Sequence, residues 1–145
     1  MKISLEKVIR TDYVSNISFL IPTFFGVLYF LFPKVSNQEN PQGLIYLIFP
    51  IAFASLFLLL WRIKLINNTF ESGVEADGTI NESKYYGSNW RITYSYSYQG
   101  KEYSRSNWIL RNRYSHQLQS NQKQAIIVNV TNPKLAFIRD LYIKL

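Results

Sequence analysis

The chain has 145 residues and a mass of 17.1 kDa, which allows one modest domain, or a membrane anchor with a smaller domain. Apolar residues make up 48% and charged residues 17%, which excludes an intrinsically disordered chain. Cysteine is absent, so disulfide scaffolds, thiolate nucleophiles and cysteine-based metal sites are excluded. The net charge of +7 comes mainly from the second half, because twelve of the sixteen basic residues lie from position 62 onward.

Two uncharged apolar runs dominate the first half of the chain, at residues 14–32 and 44–61. At ~1.5 Å rise per residue, helices of this length reach about 27–29 Å, close to the roughly 30 Å hydrocarbon core of a bilayer. A cleaved signal peptide is not expected, because Phe30-Leu31-Phe32-Pro33 offers no small-residue cleavage site. A buried helical hairpin in a soluble protein is less favoured, because the remaining chain is too short to cover it. We therefore predict two transmembrane helices.

The segment between the runs, Lys34–Gly43, is short and contains asparagine, proline and glycine, so the helices should be antiparallel neighbours. The outer ends of the runs carry five basic residues: Lys2, Lys7, Arg10, Arg62 and Lys64. The connecting segment carries only Lys34. Because basic residues favour the cytoplasmic side, we expect both termini in the cytoplasm and the hairpin in the bacterial inner membrane. The tail and hairpin would occupy residues 1–62.

The remainder, residues 63–145, changes to a two-residue period typical of half-buried strands. Segment 90–98 alternates most strictly, with Trp90, Ile92 and three tyrosines on one face. Tight turns are predicted around Gly87 and at Gln99-Gly100. The other predicted strands are 74–81, 101–108 and 125–130, and 135–143 is either a strand or a short helix. The sequence thus predicts an α+β membrane protein, a transmembrane helical hairpin followed by a small antiparallel β-barrel or β-sandwich domain in the cytoplasm.

Three short motifs accompany this pattern: Phe70-Glu71-Ser72-Gly73-Val74, Tyr96-Ser97-Tyr98-Gln99-Gly100-Lys101-Glu102-Tyr103, and Val128-Asn129-Val130-Thr131-Asn132-Pro133. With them the chain, from Leu44 onward, resembles a bacterial membrane family, the domain-of-unknown-function family thirty-five ninety-two. That family often has a glycine just before the last clear strand, where this chain has Asn121-Gln122. The resemblance implies an architecture of two helices and a β domain, and no catalytic residues.

Few residues are suited to catalysis or metal binding. His116 is the single histidine and has neither a second histidine nor a cysteine to complete a zinc site. Glu75 and Asp77 share one strand face, but alternation makes it the solvent face. No glycine-rich phosphate loop and no nucleophile-elbow motif is present. We therefore expect a protein that is not an enzyme, with no catalytic residue, no cofactor and no metal.

Basic residues lie among aromatic residues in the second half, a combination that could bind single-stranded nucleic acid. The strict alternation of Tyr94, Tyr96 and Tyr98 instead favours a core role for the tyrosines. An anionic membrane surface suits the charge better, because each basic residue near it contributes about 1 kcal/mol. The candidate contacts with the membrane surface or a partner are Arg62, Lys64, Arg105, Trp108, Arg111 and Arg113.

These features predict a non-enzymatic integral membrane protein whose tethered β domain mediates protein–protein interaction. Besides the lipid bilayer, the expected partner is another membrane protein, such as a larger complex that the chain serves as an accessory subunit, or a second copy of the chain. One alternative is an immunity or stress-response protein that acts against a toxin at the inner membrane. The other is a membrane-anchored nucleic-acid-binding module, which the core role of the tyrosines disfavours.

Overall fold

The computed structural model describes residues 2–36, 42–112 and 115–143. The helices are α1 (Leu5–Thr11), α2 (Tyr13–Ser36) and α3 (Gln42–Ser72). The strands are β1 (Val74–Tyr86), β2 (Asn89–Tyr98), β3 (Lys101–Leu110), β4 (Lys123–Val128) and β5 (Ala136–Ile138). Two short 3₁₀ turns are at Ser115–Gln117 and Arg139–Leu141. The segment 135–143, for which strand and helix were both open, therefore contains a short strand followed by a helical turn.

Helices α2 and α3 pack side by side as an antiparallel hairpin. Arg62 of α3 bonds to Asp12 just before α2, whereas Ile48 near the other end of α3 lies close to Gly26 and Tyr29 of α2. Segments 13–31 and 48–72 have mean hydropathies of 1.7 and 1.8, and only 11% of an 18-residue apolar window in each is buried. Both helices are thus long and apolar enough to cross a membrane, as predicted. Part of the predicted connection, residues 37–41, lies outside the described residues.

Helix α3 continues past the predicted end of the second apolar run at Trp61 and ends at Ser72. Ile66 and Phe70 are buried in the sheet core and Ile63 packs against it. Because these residues recur at helical spacing, they keep one face of α3 against the sheet. The hairpin and the sheet are therefore joined by continuous helix. The predicted boundary at residue 62 falls inside it.

The five strands form one antiparallel sheet that is nearly a barrel, in the order β3-β2-β1-β4-β5. The register pairs Tyr86 with Asn89 across one turn, and Tyr98 with Lys101 across the next. A bulge at Asn81 interrupts the pairing of β1 with β2. The predicted antiparallel β domain is confirmed, in the barrel-like rather than the sandwich form.

The N-terminal segment closes the gap between the two edges of this sheet. Ile3 forms an antiparallel bridge with Ile143 after β5, and Asp12 forms one with Ile109 of β3. Between these bridges, Val8 of α1 is completely buried in the core. The segment predicted as a tail before the first membrane helix is thus part of the β domain.

The core is built from the inner face of the sheet. In β2, Ile92, Tyr94 and Tyr96 are buried, and Tyr98 packs at the edge of the core, so the tyrosines have the predicted core role. Ile80 of β1, Ile126 and Ile127 of β4 and Phe137 of β5 are also buried. The alternation visible in the sequence therefore marks the inner face correctly.

The turns follow from residues that accept positive φ angles. Gly87 has φ of +63° in the first predicted turn. Gln99 and Gly100 have φ of 51° and 74°, the signature of a type I′ hairpin turn. Asn121 has φ of 66°, and its N–H donates to the carbonyl of Ile80. Asparagine tolerates this conformation better than other non-glycine residues, so Asn121 can occupy this position in the turn before β4.

Candidate functional site

The hairpin meets the sheet at Asp12, the residue between α1 and α2. Its carboxylate accepts hydrogen bonds from the backbone N–H of Ser15 at 3.0 Å and the Ser15 hydroxyl at 2.9 Å. It therefore caps the start of α2, where the unpaired N–H groups and the helix dipole both favour a negative charge. The Asp12 side chain is only 1% exposed.

Arg62 of α3 pairs with this buried carboxylate. Its Nε donates to Asp12 Oδ2 at 3.1 Å, and its Nη2 donates to Oδ1 at 2.7 Å. This bidentate geometry matches the planar guanidinium to the carboxylate. The Arg62 side chain is 13% exposed, and its guanidinium lies 5.2 Å from the centre of the Phe137 ring. Arg62, predicted to contact the membrane surface or a partner, is thus held mainly inside the protein.

Tyr142 completes what we call the junction cluster: Asp12, Ser15, Arg62 and Tyr142. The Tyr142 hydroxyl donates to Asp12 Oδ1 at 3.4 Å, and the ring packs against Phe70 and Phe137. Burial raises the pKa of Tyr142 well above its usual value, and the negative charge of Asp12 raises it further. The hydroxyl therefore keeps its proton at neutral pH and acts as a donor.

Arg105 lies in a second network that also includes Phe137. Its guanidinium is 5.1 Å from the centre of the Phe137 ring, its Nε donates to Asn107 Oδ1 at 3.1 Å, and its Nη1 donates to the carbonyl of Lys134. Asn107 in turn donates to the Tyr94 hydroxyl at 3.0 Å, and this hydroxyl donates to the carbonyl of Ala136. Burial raises the pKa of Tyr94 far above its usual value. Arg105 is thus half-buried and fixes the β4–β5 end of the sheet.

The other sequence-predicted residues lie nearer the surface. Lys64 is exposed on α3. Trp108 is 41% exposed and its ring lies 6.5 Å from that of Tyr13. Arg111 is exposed, with its guanidinium 5.7 Å from the centre of the Tyr85 ring. Arg113 lies outside the described residues, as does the side chain of His116. The five described candidates therefore do not form one site. Arg62 and Arg105 both lie close to the Phe137 ring, whereas Trp108 and Arg111 are near the ends of β1 and β3.

An apolar groove of about 300 Å³ separates α2 from α3 toward the end of the hairpin distant from the sheet. It is lined by Pro22, Phe25, Gly26, Tyr29, Ile48, Phe49 and Ala52. A Cβ atom added to Gly26 would meet nothing within 4 Å. The groove is thus open to an apolar chain or to another helix.

The junction cluster is arranged for positioning rather than for chemistry. The Asp12 carboxylate accepts five hydrogen bonds from Ser15, Arg62 and Tyr142, and it is almost inaccessible to solvent. A saturated, buried carboxylate is poorly placed to act as a base or a ligand. Within residues 2–36, 42–112 and 115–143, no three His, Asp or Glu side chains come together as a metal site.

Sequence reasoning missed Asp12, although a signal was present. Asp12 is an acidic residue just ahead of the first apolar run, and it precedes Ser15 by three residues. An acidic residue in this position commonly caps the start of a helix. Arg62 directly follows the other run. In an antiparallel hairpin these two positions meet at the same end, so the pair could have been proposed from topology alone.

No family model matches the chain. No curated protein and no solved structure matches it significantly. The assignment of function therefore depends on the geometry described above.

Proposed function

We propose that this chain is a non-enzymatic integral membrane protein whose hairpin holds the β domain at the membrane and binds a second membrane protein. The observation that carries the proposal is the exposure of the hairpin. Phe24 of α2 and Phe57 of α3 are 64% and 68% exposed, and most other apolar side chains of the two helices are also uncovered. In water, exposing so many apolar side chains would be very unfavourable in free energy, whereas in lipid this exposure has no such cost.

The rigid connection between hairpin and sheet supports a role in positioning. Continuous helix and the pair Asp12–Arg62 fix the β domain relative to the anchor. A partner in the same membrane would therefore meet the domain at a constant height and orientation. We infer that the domain lies on the cytoplasmic side, because Lys2, Arg10 and Lys64 are exposed near that end of the hairpin.

The groove between α2 and α3 is the surface that we assign to the partner. Small residues such as Gly26 and Ala52 allow close approach of another helix, and helix association in lipid depends on such packing. This chain would then act as an accessory subunit of a membrane complex. The likeness to the domain-of-unknown-function family thirty-five ninety-two remains part of this proposal, because no family model matches.

Photocrosslinking in the native membrane tests the interaction. Phe49 lines the groove, whereas Phe57 does not, and both are 68% exposed on α3. A photoreactive amino acid at position 49 should give one discrete protein adduct, and the same residue at position 57 should give none. Gly26→Leu, which fills the groove, should abolish the adduct.

Equal crosslinking at positions 49 and 57, or no protein adduct at position 49, would contradict a specific partner. An adduct of twice the mass of the chain would identify the partner as a second copy. Extraction of the intact chain from membranes by alkaline carbonate, without detergent, would contradict the membrane anchor itself.

A further inference from the structure

The exposed large aromatic side chains outside the two long helices gather at one place. Among the described residues of α1 and the sheet, they are Tyr85, Tyr86 and Trp108, which are 53%, 50% and 41% exposed. All three lie where β1 and β3 end. The other exposed large apolar residues described outside the hairpin are aliphatic: Leu5, Val74 and Val130. A cluster that gathers the exposed aromatic side chains of the described domain indicates a contact surface.

This cluster lies against the beginning of α2. The ring of Tyr86 is 5.3 Å from that of Trp108, and the ring of Trp108 is 6.5 Å from that of Tyr13, the first residue of α2. The backbone of Asp12 forms a bridge with Ile109, the residue after Trp108. The end of β3 is therefore at the same level as the residue where the apolar helix begins.

Both faces of the strand ends combine an aromatic pair with an arginine. On one face, Arg91 pairs across the strands with Trp108, next to Tyr86. On the other, the Arg111 guanidinium lies 5.7 Å from the centre of the Tyr85 ring, and this ring packs on Trp90. The nearby acid Glu82 is paired with Lys84 at 2.6 Å. The net charge of these described side chains is therefore positive.

The opposite end of the β-hairpin formed by β2 and β3 has a different surface. The turn at Gln99-Gly100 is the full length of β2 away, about 30 Å at ~3.3 Å per residue. Lys101 and Glu102 beside it are exposed and polar. The β2–β3 hairpin thus has an aromatic, basic end next to the membrane helix and a polar end far from it.

We propose that the tip patch, consisting of Tyr85, Tyr86, Arg91, Trp108 and Arg111, docks into the anionic headgroup layer of the bilayer that holds the hairpin. This inference rests on the proposed function, because it requires α2 to be inserted. If Tyr13 is at the start of the membrane span, a ring 6.5 Å from it is at interfacial depth. Tryptophan and tyrosine favour this layer, and arginine binds its phosphates.

The same side chains could stack on single-stranded nucleic acid. The bilayer is favoured because the patch is continuous with the root of the apolar hairpin, where an inserted helix brings headgroups against it. A long polynucleotide would have to occupy that same space.

A depth measurement on the full-length protein in nanodiscs tests the inference. Because the chain has no cysteine, single cysteines can carry an environment-sensitive fluorophore. Ser88→Cys places it in the turn between β1 and β2, beside the tip patch. Lys101→Cys places it at the opposite end of the β2–β3 hairpin. Phe53→Cys places it in the middle of the α3 apolar segment. With anionic lipid, the fluorophore at position 88 should be quenched by lipids brominated near the headgroup, and the one at position 101 should not.

The label at position 53 separates the two proposals. Quenching at 53 by deeply brominated lipid, without quenching at 88, would overturn tip docking and leave the membrane anchor intact. A water-exposed label at 53 would overturn both. Shielding at 88 by a single-stranded oligonucleotide, with no effect of anionic lipid, would overturn docking in favour of nucleic acid.

Charge variants test which groups bind. Arg91→Gln and Arg111→Gln should each lower the ratio of docked to undocked tip by about fivefold in anionic nanodiscs. Lys101→Gln should leave the ratio unchanged. Equal losses for all three variants would show a diffuse charge effect and would overturn a specific tip patch.

Discussion

The hairpin and the β domain use apolar residues in opposite ways. In the hairpin, phenylalanine and leucine side chains point outward, and only a small fraction of each helix is buried. In the β domain, Ile80, Ile92 and Ile126 are completely buried, and the outer face carries hydroxyl and charged groups. Under the proposed function the same physical effect drives both arrangements, because each removes apolar surface from water, one into lipid and the other into a core.

The junction cluster lies where these two arrangements meet. A hairpin that contacted only lipid would not keep a fixed angle to a β domain that is stabilised by its own core. The bidentate pair Asp12–Arg62 supplies a directional contact between them. Four experiments test this difference between the two regions.

The largest effect is expected from Asp12→Asn, which leaves Arg62 in place without its counter-charge. Breaking a buried ion pair on one side costs about 3–5 kcal/mol. Denaturant titration in detergent micelles, followed by tryptophan fluorescence, measures the free energy of unfolding of the β domain.

The matched control is Glu75→Gln, which removes an ion pair with Arg139 in which both side chains remain partly exposed. This change should cost at most about 1 kcal/mol. Similar losses for Asp12→Asn and Glu75→Gln would show that the buried pair has no special role in joining hairpin and sheet.

A second effect is expected at Gly73, where α3 passes directly into β1. A Cβ atom there would lie 2.2 Å from the carbonyl oxygen of Thr69, so Gly73→Ala should destabilise the β domain by about 1–3 kcal/mol. Gly26→Ala in the hairpin should leave the same unfolding curve unchanged, because nothing lies within 4 Å of the added atom. A loss at Gly26 comparable to that at Gly73 would mean that hairpin packing also limits the stability of the domain.

Alkaline pH should weaken the β domain and spare the hairpin. Burial raises the pKa values of Tyr94 and Tyr142 above the usual value near 10, so folding favours their protonated forms. Their contribution is complete below pH 10 and is lost as pH rises above it, by up to about 1.4 kcal/mol per tyrosine for each pH unit. Denaturant titrations at increasing pH should show this fall. A curve that stays flat above pH 10, or a fall that begins below pH 9, would contradict it.

The smallest effect is expected at the β2–β3 turn, at the end of these strands distant from the helical hairpin. Gln99 has φ of 51°, a conformation that asparagine accepts at lower cost. Gln99→Asn should therefore stabilise the β domain by about 0.5–1 kcal/mol. Thermal unfolding would record this as an increase in midpoint temperature, and Gln119→Asn on the exposed loop should give no increase. A decrease for Gln99→Asn would contradict the type I′ assignment.

Much of the fold could be predicted from local patterns in the sequence. The two apolar runs predicted the two long helices, because a helix in lipid needs apolar residues on every side. The alternation from Trp90 to Tyr98 predicted a strand and its inner face, because side chains on a strand alternate between two environments. Gln99-Gly100 predicted its turn from the φ angles that glycine permits.

The candidate site was harder to predict from the sequence than the fold. Trp108 and Arg111 were selected for their residue types, but only the structure brings them beside Tyr85 and Tyr86. Arg62 was selected as a surface contact, and its side chain is instead bonded to Asp12. Arg113, also predicted as a contact with the membrane surface or a partner, lies outside the described residues.

Local periodicity was sufficient to predict the two long helices, four of the strands and the inner face of β2, because these depend on neighbouring residues. Three features are visible only in the folded structure: α3 continues to Ser72, the N-terminal segment closes the sheet, and Asp12 meets Arg62. Each of these depends on residues far apart in the chain, whose contacts are set by packing of the whole domain. The periodicity of a segment does not show which distant residues it contacts.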